Sequence, residues 1–236
     1  MKPPSVQRDI VRYNPADLAV RPDQVARYFG GAQYVPDPGT RERIAAAAAA
    51  GLRLIRPAAA VGLHPIVETI PGGDIVLADG AVLTGGAALC GPQNVYLAAV
   101  VGTLGPGLEA HSRELTRGGD LYTATLMDAV GVALLDRLGE ILHGELSRRA
   151  AKRGLFCGCR LGPGLNGFPV EAQRLIFTLT DAGAIGVTLN DSLVMTPVKS
   201  ISFLAPLGPA RERPPAAKCD ACGLKNCQFR QSKRRK

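Results

Sequence analysis

The sequence predicts an α+β fold in which a mixed or antiparallel sheet packs on one long spine helix with flanking helices. Three observations lead there. Short apolar runs cluster between His64 and Gly102, where IVETI, DIVLAD and VYLAAVV are split by Gly, Pro and Asn. A longer segment follows in which Val130, Leu134, Leu138, Leu142 and Leu146 recur every fourth residue, the spacing of one helix face. No strand-helix-strand unit repeats along the chain, which argues against a doubly wound parallel sheet.

The elements can be justified in order. Arg21 to Phe29 has Pro22 and Asp23 at its start and Gly30 and Gly31 after it, the punctuation of a short helix. Thr40 to Ile55 is Ala-rich, stops before Pro57, and is expected to be capped by Thr40. The apolar runs of the 64–102 region then form strands. Asp120 should cap the spine helix, with Gly154 as its stop. A further helix is expected from Pro169 to Asp181, then two strands at GVTL and SISFLA. The chain turns Pro-rich and basic after this, so residues 1–208 are expected to be the globular body and 209–236 a basic, Cys-rich tail.

Charge follows the same division. Residues 211–236 hold nine Lys and Arg against Glu212 and Asp220, whereas the other 210 residues hold 19 against 18, so the +8 of the chain is almost all tail. Such an end can meet nucleic acid, anionic lipid or an acidic protein, but more often it is solvated, and nucleic acid is not expected as a partner. The start MKPPSVQRDIV has no apolar signal core, and both long apolar stretches are broken by Arg, Asp, Asn, Gly or Pro. A cytoplasmic protein without a membrane span is expected. Its six cysteines then read as thiols, metal ligands or redox centres.

The chemistry concentrates in CGCRLGPGLNGF, residues 157–168. Gly162, Gly164 and Gly167 spell G-x-G-x-x-G, but a long helix precedes them where a dinucleotide site needs a buried strand, and Pro163 removes a backbone donor. Arg160 beside Gly-Pro-Gly reads instead as a clamp for a small molecule, since a guanidinium forks onto a carboxylate and glycine lets the backbone approach. The other reading is an arginine on a tight turn, paired with a nearby helix carboxylate. In the tail, Cys219, Cys222 and Cys227 form C-x-x-C-x-x-x-x-C, which brings three thiolates around one metal. Cys157 and Cys159 are candidates for the open fourth position. The metal is zinc or an iron-sulfur cluster, or the thiols stand idle. His64, His111 and His143 are scattered and are read as surface or core histidines.

The segment RLGPGLNGFPVEAQRLIFTLTDAGAIGVTLNDSLVMTPVKSIS resembles the activation domain of cobalamin-dependent methionine synthase. The shared pattern is an Arg, two residues, Pro-Gly, a helix, a Gly-Val-x-Leu-Asn-x-Ser-x-x-Met strand and turn, and Ser-Ile-Ser. The similarity reaches upstream through TLGPGLEAHSRELTRGGDLYTATLMDAVGVALLDRLGEILH and VARYFGGAQYVPDPGTRERI, so it spans residues 22 to 205. It implies that fold, and a protein that binds S-adenosylmethionine and supports reductive methylation of cobalamin held by a corrinoid methyltransferase. One electron would come from a separate donor protein, and the chain would act as a partner-dependent methyltransferase component on another polypeptide. By position, the resemblance implies that Arg160 holds the ligand carboxylate, that Pro163, Gly164 and Leu165 line the nucleoside, and that Asp136 meets the polar end. Ser202, which alternates with Ser200, is expected to reach the ligand. Leu165 stands where the family usually has Tyr, and Asp136 where it usually has Glu; Asp136 otherwise reads as part of a solvated face with Arg137 and Glu140. The competing function is a zinc or iron-sulfur interaction module with a degenerate pocket.

Overall fold

A computed structural model describes residues 5–71, 73–86, 93–165 and 167–210. The main sheet is antiparallel at every described pairing and is built on three central strands: β2 (Ala58–Thr69), β5 (Tyr96–Thr103) and β9 (Ser200–Gly208). β1 (Gln7–Arg12), together with β3 (Ile75–Leu77) and β4 (Val82–Leu83), extends it from β2, and β6 (Phe156–Cys157) closes the edge beside β9. The expected GVTL strand does not join this sheet. It forms a separate hairpin of β7 (Thr188–Leu189) with β8 (Met195–Thr196).

Both faces of the sheet are covered. On β5, Ala98 and Val100 face one layer while Leu97, Ala99 and Val101 face the other, the period-two alternation of a strand buried on both sides. The first layer holds α1 (Pro22–Gly30), α2 (Pro38–Leu54), α3 (Gly107–Arg117) and α4 (Leu121–Ala151). The second holds α5 (Ala172–Leu179) with β3, β4 and the 182–187 segment. His64 joins β2 to this layer. Its ring is fully buried, with Nδ1 2.8 Å from an Asp79 oxygen and Nε2 2.8 Å from the Leu179 carbonyl.

Helix α4 is the expected spine. Val130, Leu134, Leu138, Leu142 and Leu146 are all buried, and each contributes about 1.5–3 kcal/mol relative to exposure in water. Asp120 caps it, accepting from the Thr123 N–H at 3.0 Å, and hydrogen bonding from Thr123, its side chain first and its N–H next, holds the carboxyl below its ordinary range. For α2 the expected cap shifts. Asp37 accepts from both the N–H and the hydroxyl of Thr40, and Pro38 takes the first helical position, so Thr40 lies within the first turn. The last described strand, β9, runs to Gly208, and the Cys-rich tail from 211 lies outside the described residues.

Candidate functional site

The site is set by a fault in the sheet. β6 pairs Cys157 with Leu207, and further along Leu161 bridges Leu204. Three residues lie between the first pair on one strand and two on the other, so Gly158 to Arg160 contain one extra residue, a β-bulge that re-aims the side chains there. Arg160 is turned onto α4. Its guanidinium lies over Gly139, where a Cβ would overlap Nη1, and its Cζ is 5.8 Å from the centre of the Phe203 ring. Arg160 is partly buried, and among the described residues no carboxylate comes within ion-pair distance of it. The reading as an arginine paired with a helix carboxylate therefore lacks its partner there.

The Gly-Pro-Gly run that follows forms a reverse turn. The Leu165 N–H donates to the Gly162 carbonyl at 3.0 Å, with Pro163 second in the turn and Gly164 third at φ +78°, a backbone state that glycine adopts without strain. The Gly164 N–H is spent on the Phe168 carbonyl at 2.9 Å. Pro163 has no N–H, so this turn presents carbonyl oxygens, which are acceptors, rather than donors. Leu165 stands at the tip, 64% exposed.

Asp136 lies on α4 three residues before Gly139, about one turn away on a neighbouring face. It is partly buried and accepts from the Tyr28 hydroxyl of α1 at 3.2 Å. Burial, with the negative charge of Asp136 next, raises the Tyr28 pKa, so the phenol stays protonated and keeps donating. The Arg27 guanidinium covers the Tyr28 ring at 5.0 Å.

Ser202 does not join this group. Its neighbours Ile201 and Phe203 pack with α4, and its own partner across the ladder, Val101, belongs to the opposite layer with Leu204. Strand alternation sends Ser202 to the α5 side, away from Arg160. Ser200 is also committed, donating near 2.7 Å to the Pro197 carbonyl and lying 2.9 Å from the Thr103 hydroxyl.

Cys157 and Cys159 flank Gly158 at the bulge and are both partly buried. His143, which the sequence reading left apart from any cysteine pair, lies beside them, its Nε2 2.9 Å from the Gly158 carbonyl. Among the described residues no group of three or more His, Cys, Asp or Glu side chains is placed to hold a metal ion. Cys219, Cys222 and Cys227 lie outside the described residues.

No family model matches the sequence, and no curated protein does. Among solved structures, the backbone is similar to the crystal structure of the MetH reactivation domain bound to AdoHcy, with a TM-score of 0.68 over 88% of this chain and 80% of that one, at 16% identity. The chain has the MetH reactivation domain fold. The α+β architecture expected from the sequence is thus observed, with the antiparallel of the two sheet alternatives. No helix among the described residues is long and apolar enough to cross a membrane.

Within this MetH-like fold, two residues that contact the Arg160 bulge, Gly139 and His143, and one that holds Asp136, Tyr28, cannot be picked out from the sequence. Gly139 looks like a defect in a long helix until the guanidinium is found above it. Tyr28 is 108 residues from Asp136 in the chain, and His143 is 15 from Gly158. An unexplained glycine in the middle of an otherwise well-formed helix was the one signal available.

Proposed function

We propose that this chain binds S-adenosylmethionine at the Arg160 loop and supports reductive methylation of a corrinoid carried by another polypeptide. The observation behind this reading is a partly buried arginine, aimed by a bulge onto a glycine of the spine helix, with no carboxylate partner among the described residues, in a MetH reactivation domain fold. Arg160 would fork onto the methionyl carboxylate. Asp136, held by Tyr28, would meet the ammonium end. The carbonyls of the 162–165 turn would accept from hydroxyl or amino groups of the nucleoside. The sulfonium would give its methyl group as a cation to the partner's corrinoid, once a separate donor protein had reduced cobalt(II) to cobalt(I) by one electron, and S-adenosylhomocysteine would be left as the thioether product.

The direct test is methyl transfer to a corrinoid protein in the presence of a one-electron reductant. Methylation that needs both this chain and S-adenosylmethionine supports the reading. Methylation that proceeds equally without the chain removes it and leaves the interaction-module alternative.

The tail cysteines belong to the same proposal as electron-delivery or docking ligands. Cys157 is paired with Leu207, and Cys219 follows Leu207 by twelve residues, roughly 40 Å of extended chain, so reach does not prevent Cys219, Cys222 and Cys227 from joining Cys157 or Cys159 around zinc or an iron-sulfur cluster. Replacing the three tail cysteines by serine keeps every charge. Corrinoid methylation is expected to fall while S-adenosylmethionine binding persists, and undiminished methylation would end the metal part of the proposal.

Two substitutions probe the pocket. Gly139→Ala should push the guanidinium off α4, because the new methyl would overlap Nη1. It should weaken S-adenosylmethionine binding about tenfold or more, while the helix itself gains up to ~1 kcal/mol from the better helix former. Titration and urea unfolding on the same variant read both; unchanged affinity would show that the seat on Gly139 does not matter. Leu165→Tyr adds a ring at the exposed loop tip and should tighten binding several-fold, by about 0.5–1.5 kcal/mol if it packs on an aromatic base. Unaltered affinity would place the ligand elsewhere than this tip.

A further inference from the structure

We infer that a second binding site lies between α3 and the N-terminal half of α4, and that it takes a small amphiphilic anion with an apolar body and one carboxylate, sulfonate or phosphate head. A cleft of about 460 Å³ opens there, within the size range of small-molecule sites. Its floor is apolar, from buried Leu108 and Met127, and Val198, 59% exposed, stands at its wall.

The charges around the cleft do not cancel. Its lining holds three cations against two carboxylates: Asp128 lies 2.6 Å from Lys199 Nζ and pairs with it, while Glu109 accepts the Lys199 backbone N–H at 2.9 Å, which fixes its direction and leaves its charge. The aliphatic stem of Lys199 crosses Gly131, where a Cβ would meet Cε at 2.8 Å, which fixes the lysine against α4. The cations left are Arg113 and Arg117, four residues apart on α3 and so on one helix face. Among the described residues neither has an ion pair or a hydrogen-bonding side-chain partner. The C-terminus of α3 favours a cation in its last turn, which accounts for Arg117 but not for Arg113 a turn earlier. Arg113 and Arg117 are both exposed, and with one carboxylate, Glu109, to set against the two of them the cleft keeps a net positive charge above its apolar floor, which favours an anion with an apolar body.

This site is distinct from the Arg160 loop and independent of the function proposed for it. Lys199 and Arg160 sit on Gly131 and Gly139, eight residues or about 12 Å apart along α4; Lys199 immediately precedes β9, whereas Arg160 lies beside its middle, over Phe203.

The test uses the full chain and 8-anilinonaphthalene-1-sulfonate, which joins an aromatic body to a sulfonate, followed by its fluorescence. Saturable binding is expected, weakened about tenfold or more by Arg113→Ala with Arg117→Ala, which is the worth of one charge-assisted hydrogen bond. The uncharged analogue N-phenyl-1-naphthylamine should bind both proteins alike. A control that removes two exposed cations elsewhere, Arg12→Ala with Arg53→Ala, should leave sulfonate binding unchanged. Should the alanine pair unfold by circular dichroism, glutamine at both positions keeps the stems on α3 and must give the same loss. Equal affinity of wild type and variant, an equal loss in the control, or displacement of the sulfonate by S-adenosylmethionine would each overturn the assignment.

Discussion

Leu138→Ala is expected to cost 2–5 kcal/mol of folding stability, at the upper end of that range, and to be the most damaging single truncation on the spine helix. Leu138 is fully buried and lies with Leu142 over Gly102 of β5, which has no side chain of its own to move into the space. Gly102 has nothing to offer the cavity, which leaves Leu142 and Ile201, already packed there, or a movement of α4 toward the sheet to fill it. Close packing along the rest of the helix resists that movement. Urea unfolding should show a lower midpoint with an unchanged slope. A loss under about 1 kcal/mol would mean that α4 does not form the core as described.

The same helix was the most legible part of the sequence. Its four-residue spacing, Asp120 cap and stop near Gly154 were all local signals, and each corresponds to a contact in the fold. The first half of β2 was not legible. Ala58 to Gly62 carries no run of β-branched or aromatic residues, and at Gly62 there is no room for one: a Cβ there would overlap the Leu179 carbonyl. Small residues that suit such a place read as weak strand formers. β1 was missed for the opposite reason, being an exposed edge strand with charges on it and no buried alternation. α3 buries only Leu108 and follows Gly-Pro-Gly, so periodicity gave little sign of it.

At the site, residue chemistry was legible and direction was not. Arg160 and the Gly-Pro-Gly turn could be picked out by type and spacing. The bulge that turns Arg160 toward α4 depends on the register against β9, nearly fifty residues downstream. The face of Ser202 was hidden on the same ground, since a serine's position in a strand does not say which face is which until the ladder is known.

Arg160→Ala carries the second large effect and the central claim. Its guanidinium lies between Phe203 and Gly139 of α4 and, among the described residues, makes no ion pair, so its removal should cost the fold little beyond the cation-ring contact of roughly 0.5–1 kcal/mol. For a bound carboxylate the loss is larger, because the ligand's charge would then be left without its bidentate partner. About 1.5–3 kcal/mol of binding free energy is expected to disappear, or roughly a tenfold to 150-fold weaker affinity. Calorimetric titration of S-adenosylmethionine into wild type and Arg160→Ala, with unfolding midpoints measured on both, tests this most directly. The account predicts binding to the wild type, a loss of that size in the variant, and nearly equal midpoints; no binding to the wild type, or equal affinity in the two proteins, would contradict it.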